Sequence, residues 1–466
     1  MIPCPPDGGF CGKFFVRGGH VLSRYYPNEF IQEIKQKANL VEIASLYTKV
    51  VKMGVNYLAI CPFHDDKKPS MQIKPETNTF YCHACGAGSA YHSKVKSSDV
   101  ISFIRGIHNF SFNEAIEFLA QQTNTPLPPL NPEEQQKYQQ EQQWKELCFK
   151  VNHYLKEKLK TNEKALSYLA NRGITNLEID IWQLGFGEDV DHPLFKHTLN
   201  RITFPIFDLN GQIVSFSGRV PFSQKMLEEI NKRLIKKGKP TIVKYLDQKD
   251  FNKGNHLYGI HLAKEYIREW KSAVIVEGYT DVISMHRSGA HHTVSTMGTA
   301  LTKSQIQLLK RCGAENVIIM TDADEAGIIA CERNSQMLTQ EGIKTFVIPL
   351  PFGLDPDDLC YEFGYFNNKL SEFIEKYMQP VEQWKIHKIF KETQDEIMYH
   401  YSKINDYQST RLEKVIPILA TIHDPVQLDL FIRQTSDLFV ISYDAIKEKL
   451  HDYKKRARRP IPLGMG

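Results

Sequence analysis

Val274-Ile-Val-Glu277-Gly-Tyr-Thr-Asp281 is a short apolar run that ends in acid. Two further stretches share its pattern: Val317-Ile-Ile-Met-Thr-Asp322-Ala-Asp324 and Gly353-Leu-Asp355-Pro-Asp357-Asp358. Brief Val/Ile-rich runs read as strands, and runs of this kind that end in acid are hard to explain as core. Glu277, just before Gly278, is expected where a parallel strand gives way to a helix, the edge of an open α/β sheet where ligands bind. Asp281 lies about one helical turn further on. Asp322 and Asp324 flank the small Ala323, so both can face one side of a tight loop, and Pro356 stiffens the third segment. A helix N-cap explains any one of these acids, but not three segments alike. Clustered carboxylates repel and lose hydration unless a hard cation joins them. The pattern therefore points to Mg²⁺ or Mn²⁺ and phosphoryl-transfer chemistry.

Outward from these runs, helical patterns alternate with short apolar segments over 146–365, which indicates an α/β domain. Strands are expected at Ile202–Phe207, Ile213–Ser217, Ala273–Val276, Thr293–Ser295, Val317–Met320 and Thr345–Ile348. Beyond 366 the periodicity is helical. Residues 1–25, rich in Pro and Gly, read as an extension. Residues 26–122 carry helical patterns on either side of short strands that surround a Cys/His cluster. The stretch 123–145 contains Pro126, Pro128, Pro129 and Pro132 and then a Gln/Glu run; its proline half reads as an extended linker and its Gln half as the approach to a helix. The expected divisions are therefore 26–122, the linker 123–145, 146–265, 266–365, a helical part 366–455, and a basic tail 456–466. The fold class expected is α/β, with a small zinc-bearing domain before it and helices after it.

The chain has 466 residues, of which 42% are hydrophobic, enough for several packed cores. No stretch is apolar for long enough to span a bilayer and no leader pattern is visible, so a soluble cytoplasmic protein without membrane attachment is expected. A formal charge of +4 does not by itself imply nucleic acid. The local runs Lys232, Arg233, Lys236, Lys237, Lys239 and Lys454, Lys455, Arg456, Arg458, Arg459 are more informative, although alone they describe a solvated face. Nine cysteines, an odd number, argue against a secreted disulfide scaffold and for a reduced compartment.

Cys61-Pro-Phe-His64 and Cys82-His-Ala-Cys85 form C-x₂-H and C-x₂-C pairs 17 residues apart. Each pair grips one metal from a tight turn, and together they close a tetrahedral Cys₃His shell with no open position, a structural zinc site. His83 lies inside the knuckle and is expected to face solvent. Lys67, Lys68, Lys74, Phe80 and Tyr81 are candidates for a nucleic-acid surface on this ribbon.

Glu277-Gly-Tyr-Thr-Asp281, Met297-Gly-Thr-Ala-Leu-Thr302, Asp322-Ala-Asp-Glu-Ala-Gly327 and Asp355-Pro-Asp357 resemble the toprim core of bacterial DnaG-type primases. Further primase motifs are resembled by Tyr168-Leu-Ala-Asn-Arg172-Gly173, Arg201-Ile-Thr-Phe-Pro-Ile206, Ser217-Gly-Arg219, Lys244-Tyr-Leu246 and Phe251-Asn-Lys253-Gly254. The zinc segment resembles the primase zinc domain, and the likeness runs from about Pro27 to about residue 450 in the family's order. It implies a DNA primase that copies single-stranded DNA from NTPs into an RNA primer, with an RNA/DNA hybrid as product. Glu277, Asp322 and Asp324 would carry the catalytic metals, with Asp281, Asp355 and Asp357 completing the set. Arg172, Arg201, Arg219, Lys244 and Lys253 would hold template or triphosphate.

Two departures stand out. Residues 89–98 intervene before Asp99-Val-Ile-Ser-Phe103, where the family runs straight on, and are expected to form a surface loop. The family's C-terminal helicase-docking domain is expected to be absent, which leaves a replicative-helicase partner open, as it leaves open a phage or mobile-element origin. Other readings are a toprim nuclease or topoisomerase, for which no tyrosine announces itself, and a non-catalytic single-strand-binding protein.

Overall fold

A computed structural model describes residues 26–92, 95–108, 110–190, 192–321, 324–351, 354–363, 369–399 and 404–457. The expected extension 1–25, the tail from 458 on, and Asp322 with Ala323 lie outside the described residues. The chain divides into two compact units, one holding 1–273, 277–287 and 291–315 and the other 274–276, 288–290 and 316–466.

In the first unit, the helical pattern that starts after Pro27 forms two helices, Asn28–Lys37 and Leu40–Ser45. Asn39 interrupts it because its side chain accepts from Val41 N and Glu42 N and caps the second helix. Four antiparallel strands follow, Val50–Met53, Asn56–Ala59, Met71–Lys74 and Thr79–Cys82. The helical pattern expected after the strands is likewise two helices, Val100–His108 and Phe112–Gln122, divided by a capping box between Ser111 and Glu114. Phe80, placed by the sequence on a nucleic-acid surface, is 1% exposed and packs with Phe63 and Phe103 at centroid distances of 5.8 and 5.3 Å. Strand alternation turns Phe80 inward and Tyr81 outward. Among the described residues of the stretch 89–98, Val95 is buried, Gly88 N donates to Val95 O, and Phe80 N to Ser98 O, so the stretch is anchored at these points as well as exposed at others.

The stretch expected as a linker is only partly one. Asn131 and Glu134 form a capping box, Pro132 takes the first helical position, and one helix runs Pro132–Thr161. The boundary drawn at 145 thus falls inside a helix. Trp144 anchors it, donating Nε1–H to Val214 O at 3.0 Å and stacking on Phe195. Its partner sheet is antiparallel, in the order Gly185–Phe186, Ile202–Phe207, Ile213–Arg219, Tyr245–Asp247. The last two strands are joined by a long excursion that contains the helix Gln224–Lys236. Helices Ile260–Trp270, Tyr279–Arg287 and Lys303–Cys312 and the strand Thr293–Ser295 follow.

The second unit takes the end of the strand Ser272–Val276 and sets it beside Asn316–Ile319, which pairs in parallel with Lys344–Val347. Gln379–Pro380 closes that side antiparallel. Helices Glu325–Gln340 and Pro356–Phe363 follow the two parallel strands. The rest is helical, with Val381–Tyr399, Ile404–Ala420, Pro425–Phe439 and Tyr443–Ala457 around Ile386, Leu419, Ile432 and Ile446. The architecture is the expected one: zinc ribbon, α/β core, C-terminal helices.

Candidate active site and zinc centre

Cys61, His64, Cys82 and Cys85 bring their ligand atoms within 4.8 Å of one another. Cys61 Sγ and Cys85 Sγ are 3.8 Å apart, about the edge of a tetrahedron with ~2.3 Å Zn–S bonds. His64 turns Nδ1 toward Cys82 Sγ at 4.0 Å and leaves Nε2 3.8 Å from Asp66 Oδ1. Asp66 also accepts from Cys61 N and Ser70 Oγ, so one carboxylate orients two of the ligands. The Ser70 hydroxyl, with the Cys61 amide, holds that carboxyl below its usual range. Burial pushes the Cys61 and Cys85 thiols up. At Cys82 burial acts the same way but is outweighed by the Cys85 amide and the Ser70 hydroxyl, which lower it. The donor set suits zinc, which replaces the thiol protons. Gly88 is required here: its φ is +93° and a Cβ would lie 2.4 Å from Phe80 O. His83 is exposed, as expected.

The basic residues differ in what they do. Arg219 ends the strand Ile213–Arg219 and is 2% exposed, its guanidinium 4.5 Å from the Tyr168 ring centroid and 5.5 Å from that of Tyr245. Its Nε and Nη1 are buried and meet no hydrogen-bond partner, a cost that an anion or an ordered water would relieve. Tyr245 is raised, chiefly by burial and against the pull of Arg219 and Arg172, which places both cations near its hydroxyl. Arg201 is turned inward: Nη1 donates to the carbonyls of Gly218, Val243 and Lys244 at 3.0–3.3 Å. Its local work is to pin the segment that presents Lys244, whose side chain is exposed. Lys253 Nζ is 2.5 Å from Asp247 Oδ2 and donates to Met297 O, which leaves one of its three donors for another partner.

Met297 (φ +60°) and Gly298 (φ +70°) are consecutive left-handed residues, a strained turn for Met297. Gly298 N and Ser295 Oγ both donate to Glu277 O, so the Met297-Gly-Thr loop is fastened to the backbone that carries Glu277. Asp281, buried at the third helical position, accepts from Gly278 N at 2.8 Å and so fixes the start of the helix Tyr279–Arg287.

In the second unit Asp324 is the N-cap of Glu325–Gln340, its Oδ1 accepting from Gly327 N at 2.7 Å. Asp355 caps Pro356–Phe363 through Asp358 N at 2.7 Å, and Asp358 accepts from Asp355 N. Asp358 thereby completes a capping box. Asp357 is buried. Capping engages one oxygen of Asp324, and a carboxylate has lone pairs for more. Both caps follow the carboxyl ends of neighbouring parallel strands, and Met320 N bonds Ile275 O one strand over. An all-oxygen donor set suits Mg²⁺ or Mn²⁺. Asp66, Asp247, Tyr168 and Tyr245 carried no role in the sequence reading. Their signal was position: Asp66 two residues after a zinc ligand, Tyr168 and Tyr245 within one turn of Arg172 and Lys244.

A zinc ribbon, a cation-rich antiparallel sheet and acids at the strand ends of an α/β sheet define a nucleic-acid enzyme of the toprim class. Family models agree along the chain: "CHC2 zinc finger" matches residues 26–135, "DNA primase catalytic core, N-terminal domain" 191–264, and "Toprim-like" 274–360. The DNA primase of Halalkalibacterium halodurans is 28% identical over 480 positions, covering 96% of this chain and 74% of that protein. That of Campylobacter jejuni is 30% identical over 379, covering 74% and 58%. A DNA primase domain from Pseudomonas aeruginosa is similar in fold at a TM-score of 0.50 and 23% identity, covering 66% of this chain and 99% of its own. The RNA polymerase domain of Mycobacterium tuberculosis primase DnaG, in complex with double-stranded DNA, reaches 0.51 at 22%, covering 64% and 98%. The chain belongs to the DnaG-type DNA primases.

Proposed function

We propose that this chain reads single-stranded DNA and joins NTPs into an RNA primer, leaving an RNA/DNA hybrid and pyrophosphate. It is an enzyme, a nucleotidyltransferase of the DNA primase type. The observation that carries this reading is the succession of zinc ribbon, primase core and toprim-like segment in one chain. The nuclease or topoisomerase alternative is not favoured, since the curated relatives are DNA primases. No described helix is long and apolar enough to cross a membrane. The proposed setting is the cytoplasm, as it would be for a primase of bacterial or phage origin.

Glu277, Asp322 and Asp324 are the proposed holders of Mg²⁺ or Mn²⁺, with Asp281, Asp355 and Asp357 supporting them. Bound there, such a cation favours ionisation of the 3′-hydroxyl and offsets charge on the α-phosphate and pyrophosphate. Arg219, with Arg172 near the same tyrosine, supplies fixed positive charge in a poorly solvated setting, where it acts most strongly. Lys253 keeps the Met297–Gly298 turn in place and offers its remaining donor to phosphate. Lys244, held out by Arg201, meets the template backbone.

The test uses labelled NTPs on a single-stranded template with Mg²⁺ or Mn²⁺. Asp324→Asn keeps a residue that caps as well as Asp, so the fold stays, but weakens the ligand. Primer synthesis is expected to fall on the order of 10²-fold or more, with an unchanged melting temperature. Full activity in this variant, or no product from the natural chain with either metal, overturns the reading.

A further inference from the structure

We infer that the helix Gln224–Lys236, within the excursion between the strands ending at Arg219 and beginning at Tyr245, is a clamp for the phosphodiester backbone of the single-stranded template. The inference rests on the primase reading. Residues 224–244 hold seven Lys/Arg against two Glu, a net +5 in a chain whose total is +4, so this excursion holds more than the whole excess of positive charge. Lys225, Lys232, Arg233, Lys236, Lys237 and Lys239 are all exposed, and none forms an ion pair among the described residues. Exposed cations elsewhere are often paired, as Lys150 is with Glu146 and Arg268 with Glu265.

The helix is built to display that charge. At 3.6 residues per turn Lys225, Lys232 and Lys236 share one face, and the buried Leu227 and half-buried Ile230 and Leu234 the opposite one. The lysine row is ~16 Å long, a strip rather than a point. Exposed Met226 and Ile235 lie nine residues apart, on opposite flanks, and form no apolar stripe for a protein partner. Gln224–Lys236 carries no aromatic side chain, so it suits phosphates rather than stacked bases.

Its feet are fixed beside the proposed template residues. Arg219 pairs with Tyr245 across the two strands, and Val220 N donates to Lys244 O. Arg201 grips Val243 O and Lys244 O, and Asn231 of the helix both donates to and accepts from the backbone of Ile242. A strand passing Lys244 therefore meets a rigidly rooted row of cations.

The test is fluorescence anisotropy of a labelled single-stranded oligonucleotide with the full chain across a salt series. The quadruple variant Lys225→Gln, Lys232→Gln, Arg233→Gln, Lys236→Gln is compared with its all-arginine counterpart (the three lysines to Arg). The Gln variant is expected to bind about tenfold more weakly near 0.1 M salt. The slope of log K against log [salt] is expected to fall by about 2–3, while the arginine variant keeps both values. An unchanged slope and affinity in the Gln variant overturns the clamp and leaves an acidic protein as the occupant. NTP polymerisation by the natural chain, run in parallel, keeps the two readings distinguishable: its absence sinks the primase reading, not the clamp's affinity for DNA.

Discussion

Arg219 shows how a buried cation is kept in readiness. Two tyrosine rings take its faces, a contact worth about 2 kcal/mol when desolvated. Against this stand two buried N–H groups without hydrogen-bond partners, at about 1–3 kcal/mol each, and the desolvation of the charge itself. Arg219→Met, similar in reach and uncharged, gives up the ring contacts and the buried donors together, so the two effects offset and the melting temperature is expected to change little. The same variant is expected to lose at least tenfold in template or NTP affinity, since the proposed role of Arg219 is to meet a phosphate. Thermal denaturation and nucleotide titration read the two effects separately. A lower melting temperature with unaltered affinity would show that Arg219 serves the fold alone.

At the scale of elements, the zinc ribbon is expected to respond to metal loss in part. Its knuckles depend on the metal for closure, yet Met71, Ile73, Phe80, Phe103, Ile104 and Ile116 form a core that the ribbon strands share with the flanking helices. Chelation, or Cys82→Ser, is therefore expected to remove the single zinc, leave helical ellipticity nearly intact and abolish amide protection around Cys61–His64 and Cys82–Gly88. Hydrogen exchange with mass spectrometry decides it; protection that survives chelation would mean that the knuckles close without zinc.

The same elements show what was legible beforehand. Zinc ligands and strand-end acids are local patterns, and the strands near Ile202, Val274, Val317 and Thr345 fall within a residue or two of their expected limits. Helix breaks at Asn39 and Ser111 escaped because apolar periodicity runs across them while a side-chain cap ends the helix. The helix Pro132–Thr161 was half hidden because its first turns are polar all round, and its certainty comes from Trp144 reaching Val214, 70 residues away. Which cations face inward could not be read at all: Arg201 and Arg219 end up buried through pairings between distant strands.

For the molecule as a whole, a further consequence concerns acid. Five histidines of the first unit are held neutral by burial: His197, His256, His261 and His292 are pushed down to about 4, and His286 to about 3. His286 is fixed by its bond to Thr293 O and by the edge of Trp182, and His261 stacks on Phe207, so neither can take a proton without disturbing packing. In the unfolded chain the same rings titrate near 6.5. Above that pH both states are neutral and the histidines contribute nothing to the pH dependence. Between about 6.5 and 4 the unfolded state binds more protons, so stability falls as pH falls, by up to roughly 1.4 kcal/mol per unit for each histidine fully in that window. The loss levels off below about 4 as the folded rings charge too. Salt-bridged Asp99, held low by Lys35 against its burial, adds a loss in the same direction at lower pH. Melting temperature is thus expected to be nearly flat from pH 8 to 7 and to drop steeply from 6.5 to 5, with proton uptake on unfolding approaching several per chain. His286→Gln, which removes one of these sites, should make the drop shallower. A melting temperature indifferent to pH over 7 to 5 would show that the rings are protonated in the folded state and that the first unit's core is wetter than its packing indicates.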